Sequence, residues 1–200
     1  MRINKLYPVE VFEFDLNLDD TWVNYVREMA AHEQPTMGVL NTHPRLNADP
    51  KFAQLVLILQ DCLQQVHEHY NFDCEGFKIS SMWGNYYRPG TAQQEHRHAN
   101  SFFSGNLFLT EGAPLIFYDP IQQRSFGQFE IFTMPKLSKD GIDQNGPKFE
   151  KIYPKPGKLV IFPSWFVHNT AIAEEDRYTI SFNSLPYGSI NQGIANIDVR

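Results

Sequence analysis

The sequence predicts an α+β fold in which helices brace one face of a β-sandwich or barrel. Three observations predict it. Helical periodicity is confined to the first 75 residues. Short branched and aromatic segments, bounded by Gly, Pro, Asn or Asp, follow from 76 to 185. At 200 residues, 42% hydrophobic and 20% charged, the chain is sized for one domain that buries its own core without a disulfide or structural metal. The expected organisation is one domain over 1–200: helical support at 1–75, a β core at 76–185 and a tail at 186–200.

Each element has a local reason. Residues 9–14 mix branched and aromatic side chains with Glu and read as a half-buried strand. Asp19 and Asp20 offer N-cap chemistry for a helix from Thr21 to about residue 31, with Trp22, Val23, Tyr25 and Val26 on its apolar face. Residues 32–50 are rich in Pro, Gly, Asn and Thr without a sustained period, which reads as a loop long enough to be functional. Asp49-Pro50 opens a second helix, 51–70, whose Phe52, Leu55, Val56, Leu59, Leu63 and Val66 fall on one face. Strands are expected at 76–87, 102–109, 115–118, 129–134, 149–153, 158–162 and 178–182. Residues 135–148 are polar and Gly-containing, as in a flap between strands, and the tail beyond Leu185 has weak periodicity and reads as loosely attached. Loops 34–49 and 135–148 are the expected recognition segments.

Several function classes drop out. The longest apolar runs, such as 55–59, fall far short of the roughly 20 residues of a spanning helix, and the first nine residues hold no signal-peptide core. The expectation is a soluble, cytoplasmic chain without a membrane partner. A net charge of −6 with no Lys/Arg cluster argues against nucleic acid. Cys62 and Cys74 are too few for a disulfide framework and are expected to be reduced.

The chemistry is carried by histidines and one arginine. His67 and His69, two apart on a helix, point to different faces and are expected at the surface; His32 and His43 read as exposed loop residues. His96 and His98 differ, because two imidazoles at that spacing on an extended segment project to one side and can share a metal. Imidazole ligands with open positions on a β scaffold suit non-haem iron, whereas the Cys-rich set of structural zinc is missing. His168 follows a strand and turn, and Arg177 opens the next strand nine residues later. An Arg at the head of an apolar strand asks for an anion, either Glu174, Glu175 or Asp176 nearby or a ligand carboxylate gripped by its fork.

On these residues the chain resembles the Fe(II)- and 2-oxoglutarate-dependent oxygenases, and within them a group found in bacteria and phages. The resemblance is carried by Trp83-Gly84-Asn85, His96-Arg97-His98, Ser104-Gly105, Phe117-Tyr118-Asp119-Pro120, Phe162-Pro163-Ser164 ahead of His168, and Arg177 with Ser181-Phe182-Asn183, over about residues 76–185. It implies a double-stranded β-helix (jelly-roll) core braced by two or more N-terminal helices. It implies iron ligation by His96 and His168 and a grip by Arg177 on the distal carboxylate of 2-oxoglutarate. Tyr87, in Tyr87-Arg88-Pro89-Gly90, matches a stretch that prolyl-hydroxylase-like members place before their first ligand, and Asn85 shares its face. Ser181 lies four residues beyond Arg177 on the same face. The departure is at the second ligand, where the usual acid is His98; the third position is left to His98, to Asp119, or to no protein group. The implied reaction uses O2 and couples decarboxylation of 2-oxoglutarate to hydroxylation of a C–H bond in a peptidyl or small-molecule substrate. Trp83, Phe102, Phe103, Trp165 and Phe166 are candidates for a dry pocket wall or for ordinary core.

Two other readings stand beside this one. Gly90 followed by His96-x-His98 also fits the first motif of cupins, although the Glu expected after it is replaced by Phe102 and Phe103, and a cupin needs no Arg at 177. The other is a non-catalytic β-sandwich that binds without turnover.

Overall fold

The computed structural model describes residues 9–18, 20–30, 38–118, 120 and 149–199, with 32–33 by backbone alone. The expected strand at 129–134, the flap at 135–148, Asp119 and residues 34–37 lie outside the described residues.

Helix α1 (Thr21–Met29) turns Trp22, Val23 and Val26 inward; Asp20 stands at its N-cap without a side-chain bond. Asp49 accepts a hydrogen bond from the Lys51 N–H at 2.9 Å and Pro50 opens a short 3-10 turn, chemistry suited to a helix start. Helix α2 (Ala53–Tyr70) then buries Leu55, Leu59, Cys62, Leu63 and Val66 and ends at Asn71 in the left-handed conformation. The expectation of His67 at the surface is corrected here. Its Nε2 lies 3.1 Å from both the Phe72 and the Cys74 carbonyl oxygens, because the turn leaving α2 exposes acceptors that need a donor. His69 is exposed and faces Glu10.

Eleven strands are described: β1 (Phe12–Asp15), β2 (His32–Glu33), β3 (Leu40–Asn41), β4 (Gly76–Tyr87), β5 (Phe103–Phe108), β6 (Leu115–Tyr118), β7 (Phe149–Ile152), β8 (Lys158–Pro163), β9 (His168–Thr170), β10 (Arg177–Ile190) and β11 (Ile197–Val199). The major sheet runs β1-β8-β5-β10-β4-β3-β2, with β11 paired to β10, and the minor sheet runs β7-β6-β9. The tail is therefore corrected. Leu185, Pro186 and Tyr187 continue β10 against β4, and β11 folds back on Gly188, Ser189 and Ile190. Backbone pairing holds this segment although its side chains give little apolar signal, which is why periodicity missed it. The same blindness hid β9.

Alternation on the strands sorts the two faces of the major sheet. Tyr178, Ile180 and Phe182 of β10 join Phe77, Met82, Leu107 and the helices in one core, while Phe108, Val160 and Phe162 pack with Leu115, Phe117, Ile152 and Phe166 of the other layer. Two glycines make the first packing possible. A Cβ on Gly84 would stand 2.7 Å from a Val26 methyl of α1, and one on Gly105 would stand 2.2 Å from the Phe182 ring. Among the described residues no helix is long and apolar enough to cross a membrane.

Candidate metal and cosubstrate site

Residues 96–98 lie antiparallel to β9. The His96 N–H donates to the His168 carbonyl at 2.9 Å, the His168 N–H returns to the His96 carbonyl at 3.0 Å, and the His98 N–H donates to the Ser164 carbonyl at 2.9 Å. Pairing in this register brings three imidazoles from distant sequence into one cluster, with a candidate ligand nitrogen of each within 4.8 Å of the others. The neutral tautomers of two are set by the backbone. His96 Nδ1 lies 2.7 Å from the Gln94 carbonyl and His168 Nδ1 lies 2.8 Å from the Phe166 carbonyl. A carbonyl only accepts, so Nδ1 carries the proton and Nε2 keeps its lone pair.

The Nε2 atoms of His98 and His168 are 3.3 Å apart. With metal–nitrogen bonds of about 2.1 Å, two ligands at right-angle to tetrahedral geometry stand roughly 3.0 to 3.4 Å apart, so the spacing fits a shared cation. Burial, aided by the neighbouring His96, pushes His98 down to about 4, with a hydrogen bond to Asn183 working the other way. Burial and His96 likewise push His168 down to about 3, against the Phe166 carbonyl bond. His96 is lowered by burial as well. Neutral imidazoles are the form a metal needs.

Arg177 occupies the other end of the same sheet face. It is 0% exposed, and among the described residues its Nε, Nη1 and Nη2 have no hydrogen-bond partner. The alternative pairing with Glu174, Glu175 or Asp176 does not form among the described residues, and Asp176 instead accepts from the Tyr86 hydroxyl at 2.9 Å. The guanidinium carbon lies 4.4 Å over the Tyr87 ring and 5.4 Å from the Phe108 ring centre. Burial holds Arg177 below its ordinary value, opposed by Tyr87. A buried guanidinium without an anion is costly, and a guanidinium can take a carboxylate in two parallel bonds.

Between these ends runs a polar ladder. Asn85 accepts from Asn41 Nδ2 at 2.6 Å and donates to Thr179 Oγ1 at 2.9 Å and Ser181 Oγ at 3.0 Å; Ser181 then donates to Asn106 Oδ1 at 3.1 Å. The Thr179 hydroxyl therefore keeps its proton to donate one step from Arg177. Sequence reading singled out Asn85, Tyr87 and Ser181, and the structure brings them together. It missed Thr179, which the period of two from Arg177 points to, and Asn41 and Asn106, which carry no local signal. A cavity of about 220 Å³ opens onto all of these except Arg177 and Thr179, and onto the three histidines. Tyr87 bridges the gap by lining the cavity and lying under the guanidinium. No Asp or Glu lines the cavity among the described residues. Aromatic rings close it in: Phe162 stands 4.7 Å from the His168 ring and Trp83 stands 5.9 Å from the His98 ring.

The fold is the jelly roll of 2-oxoglutarate-dependent oxygenases. A Pseudomonas putida prolyl-4-hydroxylase aligns over 88% of this chain and 92% of its own at 16% identity, with a TM-score of 0.58. HygX from Streptomyces hygroscopicus, solved with nickel and 2-oxoglutarate bound, aligns over 96% and 93% at 13% identity, TM-score 0.59. The α-ketoglutarate-dependent epimerase SnoN from nogalamycin biosynthesis aligns over 96% and 89% at 9% identity, TM-score 0.62. No curated protein sequence matches the chain significantly. The family described as "Putative 2OG-Fe(II) oxygenase" matches residues 81–183, more than half of the chain and the whole stretch from the Trp83 motif through Arg177. The chain belongs to that family, an Fe(II)- and 2-oxoglutarate-dependent oxygenase, and this sets aside the cupin and non-catalytic readings.

Proposed function

We propose that His96, His98 and His168 hold iron(II), that Arg177 binds the distal carboxylate of 2-oxoglutarate, and that the site oxidises a C–H bond of an organic substrate by hydroxylation. The observation that carries this reading is the fully buried Arg177, whose three nitrogens have no hydrogen-bond partner among the described residues, on the sheet face that leads to the histidine cluster. Bound iron supplies the activation of O2 that is coupled to decarboxylation of 2-oxoglutarate to succinate. The chain's own residues do the rest. Arg177 and Thr179 meet the distal carboxylate as paired and single donors, and Tyr87 shields the guanidinium from water. Asn85 fixes the Thr179 and Ser181 hydroxyls, so that their orientation is set before the cosubstrate arrives. Phe117, Phe162 and Phe166 keep the His168 side of the cavity dry.

His98 is the third ligand in this reading, supported by its 3.3 Å approach to His168. The domain is read as single over 1–200. Anaerobic titration of the metal-free protein with iron(II) and then 2-oxoglutarate tests the assignment through the visible charge-transfer band of a chelated 2-oxo acid. A band that weakens sharply in Arg177→Ala supports the site; a protein that binds iron and never develops the band overturns it.

A further inference from the structure

A second pocket, of about 410 Å³, lies outside the inner cavity and shares one wall residue with it, His98. Its volume is that of a small-molecule site. The wall is mostly aromatic. Phe102 and Trp165 remain 43% and 52% exposed and line the same concavity. Phe102 is held on both sides of its backbone. The Phe102 N–H donates to the Ser184 carbonyl at 2.8 Å and its carbonyl accepts from the Ser164 N–H at 3.0 Å, while the Phe102 ring is set edge-on to Phe72 at 5.3 Å.

The pocket also carries a directed charge. Arg97 stands between His96 and His98 in sequence and lines the outer pocket together with His98. Among the described residues it has no ion pair or hydrogen-bond partner. The acid in the same wall, Glu10, is already engaged by His69 at 3.2 Å and by the Tyr70 hydroxyl. The pocket thus holds one anion, Glu10, already hydrogen-bonded, and one cation, Arg97, with no partner among the described residues and beside flat apolar surface.

We propose that this outer pocket holds the primary substrate and that the substrate is a small aromatic carboxylic acid, its ring against Phe102 and Trp165 and its carboxylate on Arg97. The inference rests on the iron-site reading above, since His98 is what joins the pocket to the reacting centre. A guanidinium takes a carboxylate in two parallel bonds, and planar rings supply contact area at low entropic cost.

The test uses the iron(II)- and 2-oxoglutarate-loaded protein without oxygen, titrated with naphthalene-2-carboxylate and with its neutral amide. Tryptophan fluorescence and the charge-transfer band are read on the same sample. The acid is expected to quench fluorescence saturably and perturb the band, and to bind at least ten times more tightly than the amide. Arg97→Gln is expected to erase that preference, and Trp165→Leu to weaken both ligands and reduce the quench. Equal binding of acid and amide, a preference that survives Arg97→Gln, or an intact band with no saturable response each overturn the pocket and leave the iron site standing. If the band never forms, the iron-site reading falls, and the inference falls with it.

Discussion

Replacing Arg177 by Met separates what this residue does for the fold from what it does for the ligand. The guanidinium is fully buried, and among the described residues its three nitrogens have no hydrogen-bond partner. An uncompensated buried charge costs about 3 to 5 kcal/mol. The rings of Tyr87 and Phe108, 4.4 and 5.4 Å away, return about 1 to 3 kcal/mol as cation–π attraction. Arg177→Met keeps most of the volume in an unbranched apolar chain, so the ligand-free variant should be more stable by about 2 kcal/mol, or about 4 to 8 °C in Tm for a domain of this size. The order should then reverse. At a cosubstrate concentration about a thousand times Kd the wild type gains about 4 kcal/mol, whereas the variant, without its carboxylate anchor, gains little. Differential scanning calorimetry of the two proteins, each with iron(II) and with or without 2-oxoglutarate under argon, reads both halves. A ligand-free variant that melts below the wild type would show that Arg177 is a structural residue and refute the reasoning.

Further expectations follow from the same geometry. In chelator-treated protein, His98 near 4 and His168 near 3 resist protons that the unfolded chain takes up below its ordinary 6.5. Their contribution is complete above pH 6.5 and is lost as pH falls toward those values, at most about 2 kcal/mol per histidine at pH 5; a Tm that does not fall between pH 7 and pH 5 contradicts this. His168→Ala should abolish iron-dependent succinate formation, measured by chromatography, and normal turnover would remove it from the site. The choice of third ligand is settled by comparing Asp119→Ala with His98→Ala, where only the second should lower iron affinity in a metal-binding titration. Asn85→Ala leaves the Thr179 and Ser181 hydroxyls without their shared donor, and should raise the cosubstrate KM more than tenfold in an oxygen-uptake assay. Gly105→Ala forces a methyl to within 2.2 Å of the Phe182 ring, an overpacking expected to cost about 1 to 3 kcal/mol by urea denaturation.

The parts of this molecule legible in the sequence are those where side-chain type and period agree. The α2 face from Leu55 to Val66, β4 and the start of β10 repeat apolar or aromatic residues at the period of their element, so burial can be read directly. The H-x-H spacing places two imidazoles together for the same reason. Backbone pairing leaves no such trace. The polar β9 and the continuation of β10 past Leu185 exist because strands find partners across the sheet, which a linear pattern does not record. Asn41 and Asn106 were invisible because they meet Asn85 and Ser181 only through register, from β3, 44 residues away in sequence, and from the neighbouring strand β5. Arg177 was legible as a question, why an arginine heads an apolar strand, and the fold supplied the answer by removing Asp176 to Tyr86.

Among the described residues no acid lines the inner cavity, and on the proposed assignment of iron and Arg177 this bears on how the enzyme meets its medium. With iron(II) on the three histidines as proposed, two positive charges join that of Arg177, and the described imidazoles, amides and hydroxyls of the lining offset none of them. Cosubstrate is then the counter-ion as well as the reductant. Succinate, left behind with the same two charges, should depart slowly and inhibit, and short dicarboxylates, sulfate or phosphate should compete for the same enclosure. Because the charges are buried, raising the concentration of a monovalent salt should relieve this only weakly. Turnover should therefore depend on which dianions surround the protein more than on ionic strength.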